Sequence, residues 1–217
     1  MMTFIYHIAI TCALFFIYSF IGWLFEVLQA IIKNHKFINR GFLIGPIVPI
    51  WGAGAILISL CLKQTDNIFY IIILSILIGS ILEYIVNYLM EKIFKARWWD
   101  YSKLPFNLNG RICLASSCTF GIGGLLVIKI LNPLFINLIK SINKIFLIII
   151  ITILLVIIIT DFIISCNIIQ KLKLSAETIR KDYTEEISKK VKSVLMEKSL
   201  WFKRLLKAFP NISLYKK

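Results

Sequence analysis

The sequence has 217 residues, of which 59% are apolar and 17% are charged, and its formal net charge is +14. An average soluble domain is about 45–50% apolar and about 25% charged, so this composition excludes an ordinary water-soluble domain, a disordered chain and a collagen-like chain. A mean hydropathy of +0.85 and 45 isoleucines indicate instead a protein that is partly dissolved in a lipid bilayer.

The cysteines and histidines exclude two further classes. There are five cysteines and no CxxC pair, which argues against a disulfide framework and against a zinc site of the usual spacing. The chain has only two histidines, His7 and His35. We therefore predict no metal site in this chain.

Five apolar segments are long enough to cross the bilayer core of roughly 30 Å, which takes about 20 helical residues. They are residues 4–32, 42–62, 68–93, 112–131 and 145–169. Helices satisfy their own backbone groups in lipid, and the apolar runs lack the alternation of a β-barrel. We predict an all-α polytopic membrane bundle of about five transmembrane helices over residues 1–169, followed by a basic amphipathic cytoplasmic tail helix over residues 170–217.

Basic residues are divided unequally between the two predicted sides of the membrane. The first and third loops and the tail hold 21 lysines and arginines, whereas the N-terminus and the other two loops hold four. Cytoplasmic loops carry such an excess. We expect a multi-pass protein of the bacterial cytoplasmic membrane with its N-terminus outside and its C-terminus in the cytoplasm. Because lipid contact accounts for the charge, we predict no nucleic-acid partner.

Four carboxylic acids lie in the span halves that are predicted to be cytoplasmic: Glu26, Glu83, Glu91 and Asp161. An ionisable group costs on the order of 2.5–3.5 kcal/mol at the centre of a membrane helix, and Glu83 is the deepest of the four. One helix face, expected to point into the bundle, carries Ser80, Glu83, Asn87 and Glu91 at three- and four-residue steps. The opposite half of the bundle is close to pure hydrocarbon.

These carboxylates have two interpretations. In the first, they pair with Arg40 and Arg111 and only fix the register of the helices. In the second, they line a polar cavity open to the cytoplasm, which is the usual meaning of ionisable residues inside a membrane. If the cavity is an active site, Glu26 and Glu83 are its candidate catalytic groups.

The second predicted span begins irregularly, with the sequence NRGFLIGPIVPIWGAG at residues 39–54. Pro46 and Pro49 each remove an amide donor and disfavour α geometry in the preceding residue, while glycines such as Gly41 allow close backbone approach. We predict a broken or re-entrant start, a feature of transporter substrate sites, with a simple packing kink as the alternative. Arg40 beside this segment favours contact with an anion.

The third loop, RWWDYSKLPFNLNGRIC at residues 97–113, places aromatic rings among polar side chains. Aromatic rings are typical of the membrane interface, and the polar residues among them are suited to hydrogen-bonding a polar head group. The residues predicted to bind substrate or line the cavity are Glu26, Arg40, Gly41, Pro46, Pro49, Glu83, Asn87, Glu91, Trp98, Trp99, Asp100, Tyr101, Asn107, Arg111 and Asp161.

From Lys171 onward the composition becomes that of a soluble, charged helix ending near Phe209. Its last part combines aromatic and basic residues that favour docking at an anionic membrane interface. These residues are Trp201, Phe202, Lys203, Arg204 and Lys207. The alternative is docking on a soluble partner or on a second copy of the chain.

Four motifs together resemble the bacterial membrane proteins described as putative type IV ABC-transporter permeases. They are IGWLFE at 21–26, NRGFLIGPIVPIWGAG at 39–54, LEYIVNYLMEKIF at 82–94 and RWWDYSKLPFNLNGRIC at 97–113. The resemblance covers roughly residues 12–165. It implies that the family's characteristic positions are Trp23, Glu26, Asn39, Arg40, Gly41, Pro46, Pro49, Gly52, Glu83, Glu91, Trp98, Trp99, Asp100, Tyr101, Asn107, Gly110 and Arg111. Trp51 departs from the tyrosine that the family often has.

The resemblance implies transport, yet the sequence contains no GxxxxGK[ST] phosphate loop. We therefore expect no cofactor in this chain, with ATP acting only through a separate ATPase subunit, and a homodimer or larger assembly. Three functions stay open. The first is a permease subunit handling an ion or a small polar or anionic solute. The second is a membrane-embedded enzyme acting on a lipid or isoprenoid-linked phosphate, and the third is a scaffold or sensor signalling through the tail helix.

Overall fold

The computed structural model describes residues 2–62, 65–94, 96–181, 199–208 and 213–214. Its helices are α1 (Met2–Asn34), α2 (Pro49–Cys61), α3 (Ile68–Phe94), α4 (Leu114–Leu126), α5 (Asn132–Lys140), α6 (Lys144–Lys181) and α7 (Leu200–Ala208). A π-helical turn, Val127–Leu131, connects α4 directly to α5. Two short strands, β1 (Ala96–Arg97) and β2 (Ser213–Leu214), pair antiparallel.

Within the described ranges, four helical stretches are long and apolar enough to cross a membrane: Met2–Ile32, Ile68–Phe94, Leu114–Lys140 and Lys144–Leu172. This confirms the prediction of an all-α membrane helix bundle. Successive stretches run in opposite directions, so α1, α3 and α6 end where α2 and α4 begin. We call this end of the bundle the polar end.

The second predicted span is shorter than the sequence indicated. Residues 35–48, which we call the re-entrant segment, are not helical, and α2 begins only at Pro49. A helix of 13 residues reaches about 20 Å, less than the bilayer core of roughly 30 Å. Val48 is extended, as the residue before a proline prefers. The broken start is thus confirmed, while the described part of the bundle has four helices of spanning length and the shorter α2.

Two other boundaries differ from the predicted ones. The fourth span does not end at residue 131 but continues to Lys140. Pro133 permits this because it lies in the first turn of α5, where a backbone amide has no intrahelical acceptor and its absence costs no hydrogen bond. Helix α6 continues without a break from Lys144 to Lys181. The division into two domains at residue 169 stays a prediction.

Small residues let the helices of the core approach closely. A Cβ atom on Gly52 of α2 would lie 2.1 Å from Ser19 Oγ of α1, and a Cβ on Gly124 of α4 would lie 2.0 Å from Ser75 Oγ of α3. These contacts hold α1 against α2 and α3 against α4, and thereby set the spacing of the side chains at the polar end.

Candidate functional site

Two carboxylates from different helices lie near one another at the polar end. Trp51 Nε1 of α2 donates a hydrogen bond to Glu26 Oε1 of α1 at 3.1 Å. The hydroxyl of Tyr101 donates to Glu83 Oε1 of α3 at 3.0 Å. Glu83 is only 7% exposed, and its carboxylate interacts electrostatically with that of Glu26. The predicted helix face does point into the bundle at this position.

One oxygen of Glu83 is left without a partner. Ser116 also lies beside the Glu83 carboxylate, and its hydroxyl donates to the carbonyl of Cys113 at 2.9 Å. Glu83 Oε2 therefore has no hydrogen-bond partner among the residues that the structure describes. Burial, followed by the negative charge of Glu83, raises the pKa of Tyr101, so its hydroxyl stays a donor at physiological pH.

Arg40 brings a positive charge near Glu26. Its guanidinium interacts electrostatically with Glu26, yet in the described ranges no acidic side chain lies within 4 Å of it. Its Nε is buried with no hydrogen-bond partner there. We name Glu26, Arg40, Glu83 and Tyr101 the carboxylate site. Two carboxylates suit a proton or a cation, and an unpaired guanidinium suits an anionic group.

Arg111, by contrast, pairs with side chains of α3. Its Nη2 lies 2.9 Å from Glu91 Oε2, and its Nη1 donates to Asn87 Oδ1 at 3.3 Å. The guanidinium also lies over the rings of Tyr84 and Tyr88, at 5.4 and 5.2 Å from their centroids. A partly buried guanidinium with these partners holds the loop against the helix. For Glu91 and Arg111 the arrangement supports the register-fixing interpretation.

The third loop is folded by its own polar residues. Asp100 Oδ1 accepts hydrogen bonds from Ser102 N at 3.0 Å and from Arg97 Nη1 at 3.4 Å. Burial alone would raise the pKa of Asp100, but these bonds and the charge of Arg97 lower it. Gly110 has φ +67°, and a Cβ there would lie 2.5 Å from Asp100 Oδ1. Asn107 donates to two carbonyls of the loop and accepts from Gly110 N.

The two tryptophans of this loop occupy different places. Trp98 is buried and packs edge-on against Phe42 and Phe94, with centroids 5.6 and 6.2 Å away. Trp99 Nε1 donates to the carbonyl of Arg111 at 3.1 Å. Of the loop residues predicted to reach a substrate, Tyr101 is therefore the one that joins the carboxylate site.

Asp161 of α6 holds the re-entrant segment. Its Oδ1 accepts the amide of Ile44 at 2.9 Å and its Oδ2 accepts the amide of Gly45 at 2.8 Å. Ser165 donates to the same carboxylate at 3.0 Å. A Cβ on Gly45 would lie 3.1 Å from Asp161 Oδ2, so a larger residue would crowd this contact. The carboxylate thus satisfies amides that the broken helix leaves free.

The carbonyls of the re-entrant segment bind other side chains. Arg204 of α7 donates to the carbonyls of Gly41, at 3.3 Å, and Leu43. Burial lowers the pKa of Arg204, and the charge of Asp161 opposes this effect. Asn39 accepts from Trp23 Nε1 at 2.7 Å and donates to the carbonyl of Ile44 at 3.0 Å. Pro46 and Pro49 lie at the end of this segment and the start of α2, as their missing amides require.

Helix α7 docks on the bundle itself. Phe202 is buried, and Arg204 reaches the re-entrant segment, so these two predicted membrane-interface residues face their own chain. Trp201, which is 46% exposed, Lys203 and Lys207 face outward. The apolar cluster beneath α7 contains Phe94, Trp98, Ile169, Leu172, Phe202, Leu205 and Leu206.

Sequence reasoning missed a polar network in the other half of the bundle. The hydroxyl of Tyr18 donates to Asn132 Oδ1 at 2.6 Å, and Asn132 Nδ2 donates to Ser59 Oγ at 2.9 Å. Ser19 and Ser75, each 0% exposed, lie in the helices that connect this network with the polar end. The feature of the sequence that points to this network is the Asn132–Pro133 pair. It lies directly after the π-helical turn, and π-helical turns are frequent at functional sites.

The helices and the buried charges define a multi-pass integral membrane protein with a polar site at one end. The chain belongs to the putative ABC-transporter type IV family, whose sequence profile matches residues 13–166. The matched range includes the carboxylate site and Asp161, and it ends before α7. Comparison with curated proteins and with solved structures gave no match.

Proposed function

We propose that the chain is the membrane-spanning permease subunit of a transporter, and that its carboxylate site binds an ion or a small polar or anionic solute. The observation that carries this proposal is the guanidinium of Arg40, which lies near Glu26 and forms no ion pair among the described residues. The formal charges of the site sum to −1, so a bound proton or cation neutralises it. If a solute places an acidic group on Arg40, a second positive charge has to bind with it. The reason is that an uncompensated charge is costly in a medium of low dielectric constant.

The network of Tyr18, Ser59 and Asn132 favours transport over the other candidate functions. A permease needs polar groups in both halves of the membrane, whereas an enzyme acting at one leaflet does not. An enzyme acting on a lipid phosphate would also need cations free to hold that phosphate. Because Arg111 is bound to Glu91, Arg40 is the one arginine of the proposed pair left for that role.

The distribution of basic residues supports an orientation with the polar end in the cytoplasm and the N-terminus outside. In that orientation the third loop and the start of α4 face the compartment that contains ATP. We expect a separate ATPase subunit, or a homodimer bound to one, to dock there, since the sequence has no phosphate loop of its own.

Glu83→Gln is expected to abolish solute binding while leaving the fold intact. The test measures the Tm of the purified full-length protein in lipid nanodiscs against a panel of monovalent cations, divalent cations and small organic and inorganic anions. A solute at about 100 times its Kd raises stability by about 2.7 kcal/mol, roughly 5–10 °C for a chain of this size. We expect a saturating rise of this order for the wild type with at least one solute, and none for Glu83→Gln or Arg40→Gln.

Glu91→Gln is the matched control, because it changes a carboxylate on the same face of α3 that is already paired with Arg111. It is expected to lower the Tm without ligand and to keep the rise with ligand. A wild-type protein whose Tm responds to no solute would contradict the proposal. So would a Glu83→Gln variant that responds as the wild type does.

A further inference from the structure

A groove lies between residues 164–171 of α6 and the start of α7, and it shares no lining residue with the carboxylate site. Its volume is about 530 Å³, and it is lined by Ile164, Ile168, Lys171, Ser199, Trp201 and Phe202. This volume falls within the range of small-molecule sites, about 300–1,000 Å³. All but Ile164 of the lining residues lie beyond residue 166, where the family match ends.

The lining changes from apolar to basic along the direction of the membrane normal. Ile164 and Ile168 belong to the membrane-spanning stretch Lys144–Leu172, and Ile164 is 44% exposed. Lys171 follows Ile164 by seven residues, which places it on the same helix face and about 10 Å further toward the end of the span. The groove therefore has an apolar floor at the depth of the acyl chains and a cation at the depth of the head groups.

The described charged side chains around the groove are lysines, which favour an anion. Lys171 is exposed, and within the described part of the chain no acidic side chain forms an ion pair with it. The exposed face of α7 adds Lys203 and Lys207. Asp161, three residues before Ile164 on α6, already accepts the amides of the re-entrant segment. Trp201 beside the groove is typical of the membrane interface.

We propose that this groove binds one anionic phospholipid of the adjoining leaflet, with an acyl chain along Ile164 and Ile168 and the phosphate on Lys171. The site is then separate from solute binding. Phe202 has one side in the groove, and it packs through the other against the apolar cluster beneath α7. A lipid in the groove therefore stabilises the docked position of α7. It thereby also stabilises the hydrogen bonds from Arg204 to the carbonyls of Gly41 and Leu43.

Native mass spectrometry of the full-length protein tests the proposal directly. The protein in detergent is titrated with phosphatidylglycerol, with phosphatidylcholine of the same chain length, and with water-soluble glycerol phosphate. We expect one phosphatidylglycerol to bind at least about fivefold more tightly than phosphatidylcholine, the factor for roughly 1 kcal/mol per basic residue at an anionic surface. Lys171→Gln is expected to remove this preference. Lys103→Gln, which changes another exposed lysine of the polar end, is expected to keep it.

A second measurement reports the position of the lipid. Phosphatidylglycerol with brominated acyl chains quenches nearby tryptophans, and Trp201→Phe is expected to remove most of that quenching because Trp201 lines the groove. Equal binding of the two lipids, an unchanged preference in Lys171→Gln, or quenching that persists in Trp201→Phe would each overturn the proposal. Equally tight binding of glycerol phosphate would also overturn it, because the site would then recognise free phosphate and not a lipid.

Discussion

Asp161→Ala is expected to lower the free energy of unfolding by about 3–5 kcal/mol, because the variant leaves two partly buried amides and the Ser165 hydroxyl without their charged acceptor. The amides belong to Ile44 and Gly45 of the re-entrant segment, which has no helical hydrogen bonds to replace the lost ones. Unfolding in mixed detergent micelles, followed by tryptophan fluorescence, measures this loss. Asp161→Asn keeps one acceptor oxygen and is expected to fall between the wild type and the alanine variant.

Asp66→Ala is the control for this experiment. It removes an aspartate whose side chain is fully exposed and whose partner is Lys129, at 2.6 Å. The bond to Lys129 and its charge lower the pKa of Asp66, yet an exposed ion pair contributes little to stability. The loss for Asp66→Ala is therefore expected to be much the smaller of the two. Equal losses for both variants would show that Asp161 does not hold the re-entrant segment.

Gly52→Ala is expected to separate α1 from α2. The added Cβ would lie 2.1 Å from Ser19 Oγ and 2.5 Å from the backbone carbonyl of Phe15. A side chain can rotate away, but the carbonyl belongs to a helix backbone and moves only if the whole helix moves. Such overpacking costs about 1–3 kcal/mol or more. The same unfolding experiment measures the loss, and the Trp51 bond to Glu26 is expected to weaken with it.

Gly123→Ala separates this steric effect from a general effect of alanine. A Cβ on Gly123 of α4 meets no atom within 4 Å, and alanine favours the helix over glycine by about 1 kcal/mol. Gly123→Ala is therefore expected to be neutral or stabilising. A Gly52→Ala variant as stable as Gly123→Ala would contradict the close packing described for α1 and α2.

The spans and the broken start of α2 could be predicted because their causes are local. Runs of isoleucine determine where a chain enters lipid, and Pro46 and Pro49 interrupt a helix whatever its neighbours are. The shared helix face of Glu83 and Asn87 could also be predicted, since helical spacing alone puts both side chains on one face. These features need no knowledge of how the helices pack.

The partners of the polar residues could not be predicted in the same way. Asp161 binds Gly45, which is 116 residues away, and Tyr18 binds Asn132, which is 114 residues away. Each contact depends on which helices become neighbours, and nothing in either local sequence specifies that. For the same reason the sequence could not tell that Arg111 would pair with Glu91 while Arg40 would keep no ion pair among the described residues.

Helix α6 runs unbroken over 38 residues from Lys144 to Lys181, a length of about 57 Å. Such a rod extends well past the bilayer into the aqueous phase. Asp161 lies roughly in the middle of this helix and accepts hydrogen bonds from the backbone that leads into α2. One continuous helix therefore connects the residues beyond the span with the backbone of Ile44 and Gly45.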